Sequence, residues 1–253
     1  MYQDTTQAVG NAAYAKVRYL EKNPLGYFVY SMLAGAYVGF GILLINTIGG
    51  LLNGNAATKI VMGCSFGIAL SLVIIAGSEL FTGNNMVMTI GMIGRKTTML
   101  QALKLWSVCW VGNLVGSCLL AFLYHLSGAF SEPVATFIAS GAAAKMSAPA
   151  LQLFVRGILC NILVCLAVWS SFRCKSEAGK LIMIFWCLFA FITCGFEHSV
   201  ANMTLLAVGL LHPMGQALSV GGYFYNLLFV TLGNMVGGIV FLGLPYALGA
   251  REK

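Results

Sequence analysis

Charged side chains are scarce in this chain: they make up 8% of its residues, against about a quarter in a typical soluble domain. With so few charges and 59% hydrophobic residues, the chain cannot cover a water-facing surface with polar groups. That excludes an ordinary soluble fold and leaves lipid as the matching solvent. Acidic residues are the rarest of the charged set, seven against fourteen lysines and arginines, for a formal charge of +7. No basic block accompanies this surplus, so a nucleic-acid partner is not expected. Cys-x-x-Cys is absent although there are eight cysteines. Seven of them (Cys64, Cys109, Cys118, Cys160, Cys165, Cys187 and Cys194) lie in apolar stretches and Cys174 lies just beyond one. They read as small packing residues, not as a redox framework. The first 23 residues lack an apolar run, and the first long one is too long for a signal core, so no cleavable leader is expected.

The chain does contain six long apolar stretches, at about 27–47, 60–94, 105–126, 151–172, 181–211 and 223–248. Each can cross about 30 Å of hydrocarbon as a helix. Lysine and arginine mark alternate loops. Lys16, Arg18 and Lys22 precede the first span, Arg95, Lys96 and Lys104 follow the second, Arg173, Lys175 and Lys180 follow the fourth, and Arg251 and Lys253 close the chain. The other loops hold only Lys59 and Lys145. Positively charged loops stay in the cytoplasm, which places both termini there. Residues about 4–22 suit an amphipathic helix with Val9, Ala13, Val17 and Leu20 on one face and Lys16, Arg18 and Lys22 free to snorkel. Asn23-Pro24-Leu25-Gly26 is expected to end it. The expected organisation is an N-terminal cytoplasmic helix (1–26), a first three-span repeat (27–126), an extracytoplasmic linker (127–149), a second repeat (150–248) and a cytoplasmic tail (249–253).

The division into repeats rests on two motifs. Gly77-Ser78-Glu79-Leu80-Phe81-Thr82-Gly83-Asn84 and Gly195-Phe196-Glu197-His198-Ser199-Val200-Ala201-Asn202 both read G-x-E-x-x-x-x-N, 118 residues apart. Gly112-Asn113-Leu114-Val115-Gly116 and Gly233-Asn234-Met235-Val236-Gly237 follow, 121 residues apart. Because each half has three spans, the second half enters from the opposite face, which predicts an all-α membrane fold with an inverted 3+3 repeat. Its second and fifth spans are broken, and the broken segments meet near the midplane.

Away from the span ends, Glu79, Glu197, His198 and Arg156 are the charged or histidine residues of the expected spans, with Lys145 near the outer surface. An intramembrane charge must face protein or water. Glu79 and Glu197 sit at matching positions, so they read first as scaffold that binds backbone N–H groups at each break, with Asn84 and Asn202. Direct substrate contact is the alternative. His198 differs, because its counterpart is Leu80, and a turn requirement would recur in both halves. A histidine there can exchange a proton near neutral pH; the plainer alternative is a histidine hydrogen-bonded within the bundle. Phe66, Leu70, Leu80, Phe81 and Phe191 surround the breaks, as packing or as an apolar gate. A gate of this kind would stop a bare anion and admit its neutral acid.

These residues, together with Leu163-Val164-Cys165-Leu166-Ala167-Val168-Trp169 and Met203 after Asn202, resemble the formate/nitrite transporter family, and Val200 to Leu205 resembles its nitrite-transporting branch. The likeness covers about Asn23 to Tyr246. It implies an aquaporin-like fold, a homopentamer in the bacterial cytoplasmic membrane with one pore per protomer, and no cofactor. The implied substrates are nitrite, formate or hydrosulfide, carried with a proton. It maps the substrate pathway onto His198, Lys145, Asn161 and Thr82. One constriction maps onto Phe66 and Phe191 on the outer side, the other onto Leu70, Leu80 and Phe81 on the inner side. Lys145 also reads simply as a surface lysine. A water or glycerol channel would need Asn-Pro-Ala at both breaks, where the chain has Asn84-Asn85-Met86 and Asn202-Met203-Thr204. A membrane metalloenzyme would need more ligands than Glu197-His198, and only His125 and His212 remain.

Overall fold

The computed structural model describes residues 2–250, which are helical with no strand among them. Arg251 and Lys253 of the expected C-terminal tail lie outside the described residues. Ten helices follow in order: α1 Tyr2–Lys22, α2 Pro24–Leu51, α3 Thr58–Gly77, α4 Phe81–Ile93, α5 Met99–Ser127, α6 Glu132–Met146, α7 Ala150–Arg173, α8 Glu177–Cys194, α9 Ser199–Leu211 and α10 Val220–Gly249. Six of them (α2, α3, α5, α7, α8 and α10) are long and apolar enough to cross a membrane. The shorter α4 and α9 continue α3 and α8 beyond Ser78–Leu80 and Gly195–His198. Both interruptions begin at a glycine in the left-handed region, Gly77 at φ +81° and Gly195 at φ +74°. A side chain at these positions is strained, which gives the leading glycine of the repeated motif its physical meaning.

Helix ends explain where the sequence boundaries moved. Asn23 starts α2 as well as ending α1: its side chain accepts the Gly26 N–H at 2.9 Å, and Pro24 occupies the first helical position. Thr98 and Gln101 form a reciprocal capping box, so α5 begins at Met99 rather than at 105. Ser176 caps the start of α8 by accepting the Gly179 N–H at 3.1 Å, so that helix begins at 177 rather than 181. Two stretches, Leu72–Gly77 and Gly237–Gly243, wind as π-helix.

The expected amphipathic helix forms as α1, and its apolar face is buried, with Val9 and Ala13 fully inaccessible. It packs chiefly on α4, with further contacts to α2 and α7. The two Gly-Asn-x-Val-Gly segments lie where α5 crosses α2 and α10 crosses α7. A Cβ at Gly116 would collide with the Met32 carbonyl, and one at Gly233 with the Phe154 carbonyl. Small residues four apart let helix backbones touch inside a membrane. Gly116→Val is expected to cost about 3 kcal/mol, at the upper end for overpacking, because backbone cannot step aside as a side chain can. Heating followed by size-exclusion chromatography would show it as lost monodisperse protein. Gly141→Ala, where a Cβ meets nothing within 4 Å, should leave the profile unchanged.

Candidate functional site

Where a helix breaks, backbone groups lose their partners and something else must satisfy them. Asn113 of α5 and Asn234 of α10 do so in matching fashion. Asn113 donates to the carbonyls of Ser31 (2.7 Å) and Glu79 (2.9 Å) and accepts the Phe81 N–H (3.0 Å). Asn234 donates to the carbonyls of Gly157 (2.8 Å) and Glu197 (2.9 Å) and accepts the Ser199 N–H (2.9 Å). The sequence assigned this stapling to the carboxylates of Glu79 and Glu197, and that reading is corrected. A carboxylate only accepts, whereas a carboxamide donates twice and accepts too, which is what two stranded carbonyls and one stranded N–H require. The asparagines had shown themselves only as repeat markers.

The glutamates instead hold lysines. Lys16 of α1 meets both Glu79 oxygens at 2.7 and 2.6 Å, and Lys145 of α6 meets both Glu197 oxygens at 2.7 Å. Asn84 donates to Glu79 at 3.1 Å and Asn202 to Glu197 at 2.6 Å. Thus α1 and α6 are counterparts, each supplying one lysine to one break. Lys16 escaped the sequence reading, which had it snorkelling outward, because helical spacing cannot say which flank of a polar face meets a distant carboxylate.

His198 sits immediately before α9 and is buried. Its Nδ1 accepts the Ala201 N–H at 3.1 Å, and its Nε2 lies 3.0 Å from the Thr82 hydroxyl. An acceptor Nδ1 carries no proton, so the ring N–H is on Nε2 and faces Thr82. The histidine therefore caps its helix, a task that Leu80, at the same position before α4, leaves undone. The sequence argument that a turn requirement would recur in both halves is corrected accordingly.

Three cavities line up through the chain. One of about 490 Å3 opens on the α6 side and is lined by Lys59, Lys145, Phe191, Glu197, His198 and Asn202 among others. A second, of about 560 Å3, opens on the α1 side against Lys16, Leu70, Glu79, Leu80 and Asn84. Between them a narrow chamber of about 10 Å3 is lined by Phe66, Leu70, Leu80, Phe191 and His198 among others, at the lower limit for a single water. Phe191 and His198 belong to both the α6-side cavity and this chamber, and Leu70 and Leu80 to both the chamber and the α1-side cavity. Phe66 and Phe191 meet edge to face at 5.5 Å, and the His198 ring stacks on Phe191 at 6.0 Å.

Three expected residues line none of these cavities: Phe81, Asn161 and the fully buried Thr82, which meets the site only through His198. Phe81 lines a separate groove with Trp106 and Trp110, not the chamber or either large cavity. Leu80, Gly83, Asn84 and Val87 line the α1-side cavity, and that helical spacing turns Phe81 away from it. Asn161 is fully buried; it donates to the carbonyls of Thr82 (3.2 Å) and Asn234 (2.6 Å) and stands behind the threonine rather than on a cavity wall.

Comparison with known proteins agrees with this construction. Residues 3–248 match the family profile described as formate/nitrite transporter. The chain is 48% identical over 250 residues to the nitrite transporter NirC of Escherichia coli K12, covering 97% of this chain and 91% of that protein. It is 38% identical over 265 residues to a probable formate transporter of Methanothermobacter thermautotrophicus, covering 96% and 94% of the two. Among solved structures, an FNT family ion channel superposes with TM-score 0.93 at 46% identity, covering 97% of this chain and 98% of that one. A pentameric formate channel with formate bound superposes with TM-score 0.76 at 28% identity, covering 94% and 97%.

Proposed function

Because this chain belongs to the formate/nitrite transporter family, we propose that it conducts nitrite with a proton across the bacterial cytoplasmic membrane, as a homopentamer with a path in each protomer. It is a multi-pass membrane protein and a transporter, not an enzyme. The nitrite assignment follows its likeness to nitrite transporters, and the pentamer follows the solved formate channel. The lysine and arginine distribution puts both termini, and the α1-side cavity, in the cytoplasm. The α6-side cavity then faces out, and lipid surrounds the bundle.

The observation that carries the mechanism is the shared wall: His198 lines both the outer cavity and the narrow chamber. Lys145 and Lys59 line that cavity, and basic side chains in a cleft concentrate anions. Lys145 spends two ammonium hydrogens on Glu197 and has a third to offer an anion. A bare anion in the phenylalanine- and leucine-lined chamber would cost several kcal/mol in lost hydration. The neutral acid avoids most of that, so protonation precedes passage. In this arrangement a doubly protonated His198 would forfeit the bond from Ala201, so the imidazole stays neutral, its Nε2–H is shared between the Thr82 hydroxyl and the arriving anion, and a proton from the outer solution reaches the anion through water. Thr82 holds the ring, and Asn161 holds the Thr82 carbonyl. Lys16 and Glu79 repeat the lysine–glutamate pair at the inner mouth.

Proteoliposomes test this directly. Nitrite uptake should saturate, should rise as the pH on the anion side falls, and should be reduced by formate and by hydrosulfide in proportion to their own passage. Nitrite flux no greater than in protein-free vesicles, or flux rising with pH, would overturn the reading. Stronger competition by formate than by nitrite itself would move the substrate to formate.

A further inference from the structure

We propose that Asn226 is a positioning residue that fixes Lys145 at the mouth of the outer cavity; this rests on the role given to Lys145 above. Asn226 of α10 is fully buried. Its side-chain Nδ2 donates to the backbone carbonyl of Lys145 at 3.0 Å, and its Oδ1 accepts from Asn202 Nδ2 at 2.8 Å. Asn202 donates in turn to Glu197, and Glu197 holds the Lys145 ammonium. The bonds close a circuit that grips Lys145 at both ends, by its carbonyl through Asn226 and by its Nζ through Glu197.

The carbonyl is available because of where the lysine sits. Lys145 is in the last turn of α6, which ends at Met146, and the final carbonyls of a helix have no partner within it. Lys16, its counterpart, is inside α1, which runs on to Lys22. Its carbonyl is bonded within the helix, so the same device is unavailable there. The inner break is tied differently: Tyr27 donates to Glu79 at 3.0 Å, and Asn84 donates to Tyr27 at 3.2 Å. Asn226 therefore belongs to one half only. It ties α10, α6 and the start of α9 together beside the cavity and leaves the lysine tip little freedom.

Two readouts on Asn226→Leu and Asn226→Ala separate the tether from the transport reading. The first is acylation of Lys145 by a water-soluble activated ester on the purified protein, followed by mass spectrometry. Losing the tether should speed modification of Lys145 several-fold in both variants, less in Asn226→Ala if water replaces the amide, with Lys59 unchanged as internal reference. The second is nitrite uptake in proteoliposomes: the half-saturating nitrite concentration should rise several-fold, with little change in maximal rate. Asn226→Ala combined with Lys145→Gln should be no worse than Lys145→Gln alone. Unchanged Lys145 reactivity in folded variants, or additive defects in the double variant, would overturn the tether. Faster acylation with normal half-saturation in Lys145→Gln would leave the tether standing and sink the anion-capture role of Lys145.

Discussion

Phenylalanine in place of His198 should slow nitrite uptake by about two orders of magnitude, the lower end of what the loss of one positioned hydrogen-bond donor to an anion costs. The variant removes the Nε2–H facing Thr82 and the Nδ1 that accepts from Ala201. It keeps the ring stacked against Phe191 and the chamber apolar. Because the histidine also caps α9, a second variant separates chemistry from folding. Asparagine is a good helix cap, so His198→Asn should retain the thermal profile of the parent while losing uptake to a similar degree. The measurement is initial uptake rate in proteoliposomes between pH 5 and 8. An unchanged rate in His198→Phe would refute the assigned role of the imidazole. Lost uptake in His198→Phe with full uptake in His198→Asn would make it a cap alone.

The second large effect concerns stability. Asn234→Leu preserves volume but strands the Gly157 and Glu197 carbonyls and the Ser199 N–H in the protein interior. Each buried group left unsatisfied costs about 1–3 kcal/mol, so the total is at least about 3 kcal/mol. For a chain of this length that corresponds to a fall of roughly 10 °C in the midpoint of thermal unfolding. Asn113→Leu should behave alike, since it strands Ser31, Glu79 and Phe81 at the other break. Glu197→Gln leaves all of those backbone bonds in place and should shift the midpoint much less. Scanning fluorimetry in detergent compares the four proteins. A larger shift in Glu197→Gln than in Asn234→Leu would return the stapling role to the carboxylate.

The sequence by itself determined the solvent, the number of spans, the duplication and the position of both breaks. These properties are local: a run of about 20 apolar residues is what lipid demands of a helix, and the glycines that open the breaks declare themselves because a left-handed turn tolerates little else. The family, too, was legible, since the residues at the breaks are contiguous. Only the tertiary structure decided what holds the breaks and what faces the cavities. Asn113 reaches Ser31, Asn234 reaches Gly157 and Lys16 reaches Glu79, contacts between residues far apart in the chain that no helical period encodes. Phe81 turned away and Leu80 inward for a related reason: the rotation of α4 about its axis is set by the turn before it and by the packing of α5. Lys145 is the same case. Its sequence neighbourhood is that of an ordinary surface lysine, and it stands at a cavity mouth because the end of α6 leaves its carbonyl to Asn226 while Glu197 takes its charge.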